Sequence, residues 1–201
     1  MEIKNIIFDF GGVLMDWDPV YYYKDKFESK DAMDYFLENV CTHDWNIQQD
    51  AGRSLQEATE ERVAKFPQYE KHIRDYYSEW EQMLKSDIYE NTYLVGKLKE
   101  KSYPLYGLTN WSAETFGVAF RRYGVFQLFD GIVVSGEEKT IKPESKIYKI
   151  LLERYQLKAE ECLFIDDNLQ NIEAAERLGF QTIHCPSGTN LKLALENLGL
   201  I

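Results

Sequence analysis

Three carboxylates stand where apolar runs end. Asp9 follows Ile3-Lys4-Asn5-Ile6-Ile7-Phe8, and the pair Asp166-Asp167 follows Cys162-Leu163-Phe164-Ile165. An acid at the exit of a buried strand is held rigidly and can serve as nucleophile, metal ligand or both. Two adjacent carboxylates there repel one another unless a cation or lysine is close. Oxygen-only ligands of this kind suit Mg²⁺. The bland alternative is one aspartate capping a helix that begins near Asn168. Two further sites fall at a strand end and a helix start, on the same side of a sheet built from such strands. Thr109-Asn110 follows Leu105-Tyr106-Gly107-Leu108 and can cradle an anion with hydroxyl, amide and free N–H groups, or simply cap a helix starting near Ser112. Lys142 precedes Pro143, which reads as the first residue of a helix over 144–155. A cation beside a helix N-terminus breaks a local electrostatic rule, and an anion bound between it and other donors would compensate.

These groups need a scaffold that brings them together. Strand-like runs recur at 5–10, 104–108, 131–134, 162–165 and 180–183. Helical spacing appears between them, at Ile147, Ile150, Leu151 and Tyr155 and at Leu169, Ile172 and Leu178. The alternation predicts an α/β fold: a Rossmann-like parallel sheet with helices on both faces. In such sheets ligands bind beyond the carboxyl ends of the strands. Residues 15–84 interrupt the alternation. They show no convincing strand, and Tyr69, Ile73, Tyr76, Tyr77 and Trp80 form an apolar stripe. Asp18-Pro19 reads as N-cap and first helical residue. The expectation is a core of 1–14 and 85–201 with an all-helical cap, or lid, at 15–84, hinged near 15–18 and 85–88.

With 201 residues and 44% hydrophobic composition, the chain suits one domain carrying an insertion. A net charge of -11 argues against nucleic acid as partner. Cys41, Cys162 and Cys185 form neither a disulfide framework nor a zinc pattern. No apolar run is long enough to span a bilayer and no basic-apolar leader precedes the first strand, so a cytoplasmic location is expected, without membrane partners.

In this order the four sites resemble the motifs of the haloacid dehalogenase (HAD)-like hydrolase superfamily, whose members are mostly Mg²⁺-dependent phosphatases. The resemblance covers the whole chain: Phe8-Asp9-Phe10-Gly11-Gly12-Val13, Gly107-Leu108-Thr109-Asn110, Lys142-Pro143 and Phe164-Ile165-Asp166-Asp167-Asn168. The insert resembles the cap of the branch that holds sugar phosphatases, the phosphatase domain of soluble epoxide hydrolase and 2-haloacid dehalogenases, with bacterial glucose-1-phosphate phosphatase-like proteins nearest. It implies that Asp9 attacks phosphorus and forms an aspartyl phosphate. Asp9, Asp167 and the Gly11 carbonyl would hold Mg²⁺, with Asp166 in the first or second shell. Thr109 and the Asn110 backbone would hold phosphoryl oxygens, and Lys142 would neutralise charge. The implied substrate is a small phosphorylated metabolite, a sugar phosphate for preference, and the implied assembly a monomer or homodimer.

Gly11 departs from the pattern, because most such phosphatases carry a second Asp there that protonates the leaving group. General acid–base help is worth about 10²–10⁴-fold. Asp16, Asp18 or His43 of the cap could replace it, a good leaving group such as an anomeric oxygen could dispense with it, or the protein could act mainly by binding. His43, Trp45 and Arg53 are candidates to face substrate, although packing is the commoner role for such residues, and Asp18 reads first as a helix cap. Trp111 would line the pocket or cover the sheet. The rivals are a dehalogenase, against which the paired acids weigh, and a non-catalytic phospho-receiver or regulator, against which chain length and the helical insert weigh.

Overall fold

The computed structural model describes residues 2–201. Its strands are β1 (Asn5–Phe8), β2 (Met15–Trp17), β3 (Leu84–Asp87), β4 (Leu105–Thr109), β5 (Gly131–Val134), β6 (Cys162–Asp166) and β7 (Gln181–His184). Five of them form one parallel sheet in the order β5-β4-β1-β6-β7. The helices of the insert are α1 (Val20–Tyr23), α2 (Lys30–Asn39), α3 (His43–Asp50), α4 (Leu55–Lys65) and α5 (Glu70–Ser78). Those of the core are α6 (Tyr89–Glu100), α7 (Ala113–Arg122), α8 (Ser135–Glu138), α9 (Ser145–Arg154), α10 (Leu169–Arg177) and α11 (Leu191–Asn197).

Strand periodicity sorts the core into two apolar layers. Ile6, Phe8, Leu163 and Ile165 pack on one face with Leu94 and Leu98 of α6, Phe116 of α7 and Leu195 of α11. Ile7, Cys162 and Phe164 point the other way, against Ile147 and Leu151 of α9 and Ile172 and Ala175 of α10. β1, at the centre, is buried on both faces, as its near-continuous apolar run requires.

The insert has its own core of Tyr23, Phe36, Trp45, Ile73 and Tyr76. Its helices start where side chains can satisfy free N–H groups: Ser29, Thr42 and Ser54 each cap the helix that follows. Asp18 Oδ1 accepts a hydrogen bond from Val20 N at 2.8 Å, but the N-cap of α1 is Pro19 and the helix begins at Val20, one residue later than the sequence suggests. The insert is not free of strand. β2 and β3, at its two ends, pair antiparallel as a ribbon with Met15 opposite Asp87 and Asp16 opposite Ser86. Strands of this length carry no readable alternation, and each finds its partner only across the whole insert. Among the described residues no helix is long and apolar enough to cross a membrane.

Candidate active site

The carboxyl ends of β1, β4 and β6 lie side by side and carry the groups singled out above. Asp9 leaves β1 but stays tied to the sheet, its N–H donating to Ile165 O at 2.8 Å. The chain then turns, with Leu14 N and Met15 N both donating to Phe10 O. Gly12 sits in this turn at φ +69°, and a Cβ there would fall 2.3 Å from Asp167 Oδ2. Only glycine lets the first loop approach Asp167 so closely. At Gly11 the opposite holds: a Cβ would meet no atom within 4 Å.

Ligand atoms of Asp9, Asp166 and Asp167 lie within 4.8 Å of one another. Lys142 enters this cluster, its Nζ 2.9 Å from Asp9 Oδ1 and 2.6 Å from Asp166 Oδ2. It is only 1% exposed. Burial opposes its charge, but Asp166 and Asp9 outweigh that and hold the ammonium above its ordinary pKa. The sequence places Lys142 beside a helix cap, which the structure corrects. The N-cap is Glu144 and α9 starts at Ser145, so Pro143 lies outside the helix. The Lys142 backbone is instead held by Asn110, whose Oδ1 accepts from Lys142 N at 2.8 Å and whose Nδ2 donates to Lys142 O at 3.0 Å. That double contact draws the chain toward the end of β4, and two carboxylates supply the compensation the lone cation needs.

Asp166 is fully buried and has its lone pairs filled. Oδ2 accepts from Lys142 Nζ and Asn171 Nδ2, and Oδ1 from Asn168 N and Asn171 Nδ2. It caps no helix, because Asn168 does that for α10, accepting from Gln170 N. Asn171 escaped the sequence reading. Its signal is a polar side chain one turn into the helix after the acidic pair, on the face that meets the sheet. Asp167 is half-buried, and burial, reinforced by Asp166, raises its pKa. Burial likewise raises Asp9, with Lys142 pulling against it and the two other acids pushing with it. Asp9 Oδ1 accepts from Phe10 N at 2.6 Å as well as from Lys142. Oδ2 has no protein donor among the described residues and is the oxygen left for chemistry. Thr109 Oγ1, at the end of β4, is buried with no hydrogen-bond partner.

Three carboxylates against one ammonium leave two negative charges, which a divalent cation cancels. The oxygen-only donor set suits Mg²⁺. With Asp166 saturated, Asp9 and Asp167 are the carboxylates with free lone pairs.

A cavity of about 590 Å³ opens above this cluster, between core and insert. Asp9, Gly11, Asn110, Lys142 and Asp167 form its floor, and Trp17, Tyr77, Trp80 and Trp111 contribute aromatic wall. The insert also brings His43, Asp44, Asn46 and Asp50 from α3. Of the suggested cap residues, His43 lines the cavity. Trp45 is buried in the insert's own core, and Arg53 binds Gln49 and Glu61 and does not line the cavity. Asp16 accepts from Tyr21 Oη and pairs with Lys85, away from the cavity, and Asp18 faces a neighbouring hollow. Trp111 does both jobs considered for it, lining the pocket while packing on Trp80 and Phe116.

A five-stranded parallel sheet with acids at two of its strand ends and a helical insert above them defines a Rossmann-like α/β core with a helical cap. Residues 6–185 match the family model of haloacid dehalogenase-like hydrolases, and the chain belongs to that family. Over 93 residues, 46% of this chain, it is 33% identical to a sesquiterpene phosphatase from Aspergillus oryzae, and it spans about half (47%) of that relative's length. It is 25% identical to a D-ribitol-5-phosphate phosphatase from Bacteroides thetaiotaomicron, with 96% of this chain and 97% of the relative covered. A haloacid dehalogenase-family enzyme from the same bacterium, solved as a magnesium complex, superposes with a TM-score of 0.75 at 24% identity, covering 97% of this chain and 99% of that one.

Proposed function

We propose that this protein is a Mg²⁺-dependent phosphatase that hydrolyses a small phosphomonoester, a sugar phosphate for preference, through an aspartyl phosphate on Asp9. The observation that carries this reading is the convergence of Asp9, Lys142, Asp166 and Asp167 beneath one cavity. Asp9 Oδ2, the oxygen without a protein donor, attacks phosphorus while Lys142 holds Oδ1 and offsets the charge gathering on the phosphoryl group. Asp166 and Asn171 keep Lys142 in place. The unpartnered Thr109 hydroxyl and the Asn110 backbone are the donors assigned to phosphoryl oxygens. Asp9, Asp167 and the Gly11 carbonyl are the ligands assigned to Mg²⁺. When bound, the ion neutralises Asp9 and the phosphoryl oxygens and aligns them for in-line displacement. A phosphorylated metabolite with a polyhydroxylated body fits a cavity that mixes aromatic faces with Asn46, Asp50 and Ser112, and the ribitol phosphate specificity in the name of the Bacteroides relative supports that class.

Phosphate release from p-nitrophenyl phosphate tests the reading. It is expected with Mg²⁺, absent with chelator and abolished in Asp9→Asn. Turnover of 2-haloacids that survives chelator would assign the site to dehalogenation instead.

A further inference from the structure

Breaking a P–O bond to an alkyl alcohol puts negative charge on the departing oxygen, and a proton must reach it. The first loop offers no donor, since Gly11 has no side chain. Among the described residues, the acids lining the cavity are Asp9 and Asp167 on the floor and Asp44 and Asp50 on the insert, with His43 beside Asp44. Asp9 and Asp167 are committed to the phosphoryl group and the ion. His43 and Asp44 are exposed at the outer start of α3. Asp50, at the inner end of that helix, lies at the seam where insert meets core. Its backbone O accepts from Ser135 Oγ at 2.5 Å. Five residues on, Leu55 N donates to Glu114 Oε1 of α7 at 2.8 Å. Between them, Gly52 packs against Lys139 and the Gly136 carbonyl. These contacts fix the inner end of α3 over the cavity.

Building on the phosphatase reading, we propose that Asp50 is the catalytic acid and base, supplied by the cap in place of a side chain at position 11. In the first step Asp9 Oδ2 bonds to phosphorus, the P–O bond to the leaving group breaks, and the leaving oxygen takes the proton of Asp50. The products are the alcohol, the aspartyl phosphate and the Asp50 carboxylate. In the second step water attacks phosphorus and gives its proton to Asp50, Asp9 departs, and inorganic phosphate leaves. Asp50 is then protonated for the next cycle. A carboxyl suited to both jobs titrates near working pH. Burial pushes Asp50 up to about 7, opposed only in part by the Ser112 backbone N–H. Asn46 Nδ2 adds a long neutral contact at 3.5 Å. Titratable groups on the elements packed around it are Tyr76 and Tyr77 of α5, His43 and Asp44 on its own helix, Arg53 beyond it, Glu57, Glu60, Glu61, Arg62 and Lys65 of α4, and Glu114, Glu137, Glu138 and Lys139 on the core side. Arg53 is engaged by Gln49 and Glu61, and among the described residues no salt bridge reaches Asp50.

The role separates substrates by leaving group. Nitrophenolate departs without a proton, whereas an alkoxide does not. With Mg²⁺, Asp50→Asn should lose about 10²–10⁴-fold in kcat/KM on glycerol 3-phosphate. Rapid mixing with p-nitrophenyl phosphate should still give a burst of nitrophenolate stoichiometric with enzyme, followed by slow phosphate release, because the base for the second step is gone. In the wild type, kcat/KM on glycerol 3-phosphate relative to p-nitrophenyl phosphate should fall above about pH 7, and this arm decides alone if the variant does not fold. Equal losses on both substrates, no loss on either, a pH-independent ratio, or the same selective loss in His43→Gln would overturn the assignment. Wild-type enzyme inert toward both substrates would instead remove the phosphatase reading, and this inference with it.

Discussion

Replacing Lys142 by methionine keeps the buried stem and removes one charge. The lysine makes two charge-assisted contacts, at 2.9 Å to Asp9 and 2.6 Å to Asp166, and Asp166 is fully buried. Removing one partner of such a cluster leaves the other charges uncompensated, at a cost of about 3–5 kcal/mol. For a chain of this length each kcal/mol is worth roughly 2–4 °C, so the metal-free variant should melt about 6–20 °C below the wild type. The cost comes from stranded carboxylates, which gives a second reading. Adding Asp166→Asn removes one of them, and the double variant should recover about 0.5–3 kcal/mol relative to the sum of the two single losses. Thermal unfolding in chelator at neutral pH measures both quantities. Mg²⁺ should narrow the gap between wild type and Lys142→Met, since it supplies the missing positive charge. A variant melting within about 2 °C of the wild type, or strict additivity in the double variant, would show that Lys142 acts through its packed stem and would sink the argument from charge.

Gly12→Ala should weaken Mg²⁺ activation by about 10–100-fold, read as the metal concentration at half-maximal activity, because its methyl group would displace the Asp167 carboxylate. Gly11→Asp in an Asp50→Asn background should raise turnover of glycerol 3-phosphate, since position 11 has space for a side chain beside Asp9; no gain would mean that a carboxyl there cannot reach the leaving oxygen. Asp50 also links pH to stability. Its folded pKa, about 7, lies above the ordinary aspartate value of 3.8, so its contribution is intact below the lower value and lost as pH rises through the higher one. Asp50→Asn should therefore gain in melting temperature relative to the wild type as pH climbs from about 4 to 7, and a constant difference would refute the shift.

The sequence makes Asp9, Thr109, Lys142 and Asp166-Asp167 visible because each stands at or near the end of an apolar run or beside a proline, and a parallel sheet gathers such ends on one side. Continuous apolar runs are equally plain in β1 and β6, where Ile6 and Ile7 or Leu163 and Phe164 face opposite layers. What escapes the sequence depends on contacts that only the folded chain makes. Asn171 looks like an ordinary helical position until Asp166 is placed beside it. Asp50 lies in a polar stretch without periodicity, and only the docking of α3 on Ser135 and Glu114's neighbourhood gives it meaning. The sequence misplaces the start of α9 because Pro143 is a good first helical residue in isolation, whereas the Asn110 side chain holds the preceding residue in another course. The ribbon of β2 and β3 has too few residues to show a pattern.

That ribbon makes both passages between core and insert into a single element. Two separate threads would let the insert swivel and slide as it pleased. Strands laced together, with Met15 opposite Asp87, tether the insert to the core at one place instead of two. The near end of that tether begins in the turn that follows Asp9, where Gly12 N donates to Met15 O at 3.0 Å. The loop that carries Asp9 and the ribbon that carries the insert are thereby one continuous hydrogen-bonded piece.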